Sequence, residues 1–103
     1  MKFDIEIENY KEEALSYLEN DWVYLKESVL EMPQSEFRQR LLFYINKAMR
    51  YKSVQDLNKM KETLLVIFDL VCKERKKSLE LEVIEWLEDI RDVLNEIIKN
   101  IKA

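Results

Sequence analysis

Glycine and histidine are absent from this 103-residue sequence, and proline and cysteine occur once each. Each absence removes a class of structure or chemistry. Folds rich in β-structure turn tightly through residues that accept positive φ, chiefly glycine, so a sandwich, a barrel or a doubly wound sheet is not expected. Without glycine there is no phosphate-cradling loop of the mononucleotide or dinucleotide kind. Without histidine there is no Ser-His or Cys-His pair and no imidazole base near neutral pH. The Glu-x-x-His signature of di-iron bundles and every His-containing zinc site go with it. Cys72, being alone, forms no internal disulfide and no cysteine zinc cluster, which fits a reducing, intracellular setting.

Long apolar runs are also missing. The longest is Leu64 to Phe68, closed by Asp69, far short of the ~20 residues that cross a bilayer. The acid-rich start has no apolar core of a signal peptide. These features predict a cytoplasmic protein with no membrane association.

What is present points to helices. Hydrophobic residues make up 48% of the chain, enough for a real core. Leu, Glu, Lys, Ala, Met, Gln and Arg lose little rotamer freedom in a helix. The abundance of Lys, Glu and Ile fits a thermophilic source, or equally an AT-rich genome. The expected fold is all-α: one domain over residues 1–103, a bundle of about four helices.

Residues Met1 to Glu8 alternate, with Phe3, Ile5 and Ile7 opposite Lys2, Asp4, Glu6 and Glu8. That is the period of a strand, so this stretch reads as an extended N-terminal arm, as a strand completed by another subunit or, alternatively, as the frayed first turn of a helix. Asn9 with Glu12 resembles a capping box. From there Tyr10, Ala14, Tyr17, Leu18, Trp22, Leu25, Val29 and Met32 form one helical stripe. Pro33 ends it, because the residue before proline is pushed out of the α region. Ser35 is a good N-cap for a second helix with Phe37, Leu41, Tyr44, Ile45, Ala48 and Met49 on its stripe. Ser53 with Asp56 opens a third, whose stripe is Leu57, Met60, Leu64, Ile67, Phe68 and Val71. The fourth runs through Leu79, Val83, Trp86, Leu87, Ile90, Leu94, Ile97 and Ile101, with Ser78 as a candidate cap. Trp22 and Trp86 both fall on stripes and are expected in the core. The polar run Lys73 to Ser78 is read as a hairpin turn, the alternative being one helix spanning the third and fourth patterns.

Two segments carry more apolar surface than one stripe needs: Leu41 to Ile45 and Leu64 to Cys72. A four-helix monomer leaves every helix a solvent side, and a leftover apolar patch usually marks an interface. The candidate interface residues are Leu42, Phe43, Leu65, Val66 and Leu70. Cys72, in the same apolar segment, is expected to be a buried, inert thiol. Glu85, Asp89 and Asp92 share a helical face, and such a run is more simply a solvated one than a cation site. No catalytic residue, metal ligand or cofactor is assigned, and the chain reads as a non-enzyme.

The net charge of −4 hides a pattern. Residues 1–32 carry −6, 33–61 carry +5, 62–78 carry +1 and 79–103 carry −4. Acidic outer helices beside basic inner ones would complement one another within a bundle. Arg40, Lys47, Arg50 and Lys52, with Phe43 and Tyr51 nearby, also resemble the basic-aromatic footprint of a polynucleotide binder. The expected function is a non-catalytic interaction module: a homo-oligomer or adaptor, inhibitor or assembly subunit with an unidentified protein partner. The alternative is a small nucleic-acid-binding accessory protein using the second helix.

Overall fold

The computed structural model describes residues 2–51, 54–74 and 81–102. Four helices are found: α1 (Lys2–Leu30), α2 (Glu36–Met49), α3 (Leu57–Glu74) and α4 (Leu81–Lys102), with one 3-10 turn at Val54–Asp56 leading into α3. Each packs chiefly on two neighbours: α1 on α2 and α4, and α3 on the same two. This is the square arrangement of a four-helix bundle. At 1.5 Å per residue, the 29-residue α1 is about 43 Å long. It accounts for most of the 51 Å length of the molecule. The 14-residue α2 is half as long.

The N-terminal arm is corrected. Lys2 to Asn9 belong to α1, so Asn9 is an interior helical residue and not a cap. A lone strand would leave its N–H and C=O groups without a ladder, whereas a helix pairs them within the segment. The alternating pattern had no partner strand to make it a sheet. At the other end α1 stops at Leu30, ahead of Pro33. Its last carbonyls are met by a side chain from the next helix: Arg38 Nε donates to the Val29 carbonyl at 3.3 Å and Nη2 to that of Leu30 at 3.1 Å.

Ser35 caps α2 as expected, its hydroxyl accepting from the Arg38 amide at 3.1 Å. With no glycine to turn left-handed, α2 ends differently. Arg50 stays right-handed at φ −75°, and the amides of Arg50 and Tyr51 tighten onto the carbonyls of Lys47 and Ala48. Ser53 lies outside the described residues, as do Ser78 and the greater part of the run 73–78. The one-helix alternative for the C-terminal half is nonetheless excluded, because α3 and α4 pack against each other.

The core is built from the predicted stripes: Leu18, Trp22, Leu25 and Val29 of α1, Leu41, Ile45 and Ala48 of α2, Leu57, Met60, Leu64 and Ile67 of α3, and Val83, Leu87, Ile90, Leu94 and Ile97 of α4. Trp22 is fully buried, and its indole N–H donates to the Met60 sulfur at 3.3 Å. Trp86 is a correction. It is only half-buried, at the α1–α4 edge, where it stacks on Tyr24 with ring centroids 5.1 Å apart. Among the described residues no buried side-chain nitrogen or oxygen lacks a hydrogen-bond partner, and no helix is long and apolar enough to cross a membrane.

Candidate functional site

The surplus apolar surface is present, and helical geometry divides it. Leu64 and Ile67 point into the core while Leu65 is 53% exposed and Val66 40%. Consecutive helical residues diverge by about 100°, so Leu65 and Val66 leave the outer face of α3 on opposite flanks. Val66 turns toward α2. There Phe43, 63% exposed, and Tyr44 meet half-buried Leu70 in an open groove of ≈ 450 Å³. A second groove of ≈ 360 Å³ continues along Tyr44, Lys47, Lys59, Thr63 and Val66. Phe43 and Tyr44 meet edge to face with centroids 5.2 Å apart. The structure therefore gathers Phe43, Val66 and Leu70 around Tyr44. Leu42 is half-buried, packed against the core, and Leu65 stands on the other flank of α3.

The basic strip on α2 is exposed at Arg40, Lys47 and Arg50, while Lys52 lies outside the described residues. Spacings of three and four put Arg40, Phe43, Lys47 and Arg50 along one face. Arg40 is already paired with Glu36 at 2.8 Å in the same helix. Lys73–Asp69 and Arg91–Asp92 are likewise pairs within one helix. Arg91 also sits over the Phe68 ring, 5.7 Å from its centroid, and so ties α4 to α3. Compared with family models, curated proteins and solved structures, the chain has no match.

Cys72 is exposed, which corrects the expectation of a buried thiol. It lies one turn beyond Phe68 on the flank that Leu65 also occupies, and that flank reaches solvent. Among the described residues no three acidic, cysteine or histidine side chains are placed to hold a metal ion.

Two features escaped the sequence reading. Asp21, on the apolar stripe of α1 between Leu18 and Leu25, is buried with 8% exposure. Desolvation, then a hydrogen bond and charge repulsion with Asp89 of α4, push its carboxyl from 3.8 up to about 6. An acid interrupting a core stripe was the available signal. The other is a cavity of ≈ 240 Å³ between α1, the end of α2 and the first turn of α3. It exists because α2 is short. Beyond Met49 one corner of the bundle is left without a long helix beside α1.

Proposed function

We propose that this protein is a non-catalytic helical interaction module that associates with a second copy of itself through the α2–α3 face. The observation that carries the reading is the apolar cluster of exposed Phe43 and Val66 with half-buried Tyr44 and Leu70, which line two open grooves on the α2–α3 face. Its rim holds both signs of charge, Glu36 and Glu62 beside Arg40, Lys47 and Lys59. A two-fold axis can then set each sign against its opposite, as a self-complementary contact requires. The lone Cys72 suits a reducing, cytoplasmic setting. Sedimentation velocity across a concentration series tests the reading: a dimer is expected at micromolar concentration, and Phe43→Glu is expected to dissociate it. A wild-type monomer throughout the series would refute it.

A second reading rests on the exposed row Arg40, Phe43, Lys47 and Arg50, which would track a phosphate backbone and stack one base. Anisotropy of a labelled single-stranded RNA at low salt tests it, with Lys47→Glu as the control variant.

A further inference from the structure

The cavity beside Trp22 has the layered build of a small-molecule site. Its floor is buried Leu18, Trp22 and Met60, its walls are half-buried Leu15, Met49 and Tyr51, and its mouth is exposed Glu12, Ser16 and Glu19. We propose that it binds an apolar cation, a compact hydrocarbon or aromatic body bearing one ammonium group. Among the described residues, floor and walls carry no charged group, so the body that fills them is apolar. The mouth offers two carboxylates and a hydroxyl, and among the described residues no basic one lines it. An anion entering the same space would face both carboxylates, with no basic partner among the described lining residues. The volume, ≈ 240 Å³, is below the ~300–1,000 Å³ that hold drug-sized ligands. One cage or two fused rings is therefore the size that fits.

Three details sharpen the fit. The bond from the indole N–H to the Met60 sulfur holds the Trp22 ring in place at the floor. The thioethers of Met49 and Met60 are polarizable and adapt to the shape of a bound ring. Glu12 and Glu19, seven residues apart on one helix, stand about 10.5 Å apart along its axis. A single ammonium therefore meets one carboxylate at a time, with the Ser16 hydroxyl between them as a further acceptor. The site shares Tyr51 with the second groove of the α2–α3 face but none of Phe43, Tyr44, Val66 or Leu70, and the charge dependence of binding tests it apart from self-association.

Adamantane-1-ammonium, adamantan-1-ol and adamantane-1-carboxylate share one apolar cage and differ in charge, which makes them suitable probes. In the full chain carrying Trp86→Phe, Trp22 becomes the only tryptophan and reports occupancy through its emission. The ammonium should give a saturable shift, the alcohol a weaker one and the carboxylate the weakest. The ammonium's advantage over the alcohol should reach about fivefold, the upper end of what an exposed ion pair supplies. It should shrink with added salt and vanish in Glu12→Gln/Glu19→Gln. Ser16→Arg puts a guanidinium in the mouth at an exposed helical position, so it should weaken ammonium binding at least as much as the double Gln variant does, with no loss of thermal stability. The proposal is overturned by a carboxylate that binds as tightly as the ammonium, by ammonium binding that is undiminished in Ser16→Arg or in the double Gln variant, or by calorimetry showing no saturable binding of any probe.

Discussion

Asp21 keeps its proton up to about pH 6, because ionising it places a charge in the packed seam between α1 and α4, beside the Asp89 carboxylate. Its folded value of about 6 lies above the ordinary 3.8. Between those two values the folded state binds a proton that the unfolded chain releases. Stability from this group is thus fully present below 3.8 and is lost as pH rises through about 6. Asp21→Asn keeps the shape and a hydrogen-bond donor while removing the titration. Urea midpoints measured at pH 4.5 and 7.5 should fall with rising pH more steeply in the wild type than in the variant. Equal slopes would show that the pair does not couple to folding. The tryptophans give a second contrast at this scale. Trp22→Ala removes a fully buried ring from the core and should cost about 3–5 kcal/mol. Trp86→Ala removes a half-buried ring and one stacking partner and should cost only about 1–2 kcal/mol. Urea titration of both variants checks the order, which reverses if Trp86 is the more deeply anchored ring.

At the scale of the helices, α1 ends on a side chain. Arg38 spans to the carbonyls of Val29 and Leu30, where the negative end of the α1 dipole lies. Arg38→Ala should therefore destabilise the bundle by roughly 1–2 kcal/mol. Arg38→Lys should recover only part of this, because a single ammonium lacks the planar fork that reaches two carbonyls. Thermal melts of the two variants decide the point. The same contact shows where sequence legibility stops. The stripes from Leu18 to Val29, Leu41 to Ala48, Leu57 to Ile67 and Val83 to Ile97 were readable, because burial follows the 3.6-residue period directly. The Ser35 cap was readable because it is local. The Arg38 cap, the Asp21–Asp89 pair and the cavity below Glu12 and Glu19 depend on which helices become neighbours and on their relative lengths. Periodicity carries neither. Residues 2–8 misled for a related reason: alternation is a strand signal only when another strand is there to pair with it. Within the candidate surface, surplus apolarity was legible on α2 and α3. Its division was not, since which flank of α3 meets α2 decides that Val66 and not Leu65 joins Phe43.

For the whole molecule, self-association and polynucleotide binding claim the same ground. Phe43 sits in the middle of the α2 row that runs from Arg40 to Arg50, so a dimer seated on the α2–α3 face would cover the strip a phosphate backbone needs. The two uses exclude one another, and salt separates them. Apolar association is insensitive to moderate salt, while polynucleotide affinity falls steeply because each neutralised phosphate releases condensed counterion. Burying Phe43 contributes about 1.5–3 kcal/mol, and a symmetric dimer buries it twice. Phe43→Glu should consequently weaken association by at least two orders of magnitude while leaving the exposed position, and hence the monomer's melting temperature, nearly unchanged. Lys47→Glu should perturb the dimer only through its rim, where an exposed pair contributes ~0.2–1 kcal/mol. The same change should weaken RNA binding alike for every sequence, since phosphate contacts carry no base information. Sedimentation velocity at 50 and 500 mM salt on the wild type and both variants reads all of this in one series. A dimer that persists at high salt, survives Lys47→Glu and is lost in Phe43→Glu is the expected result. A monomer that retards RNA only at low salt, and loses that with Lys47→Glu, would transfer the face to the nucleic-acid reading.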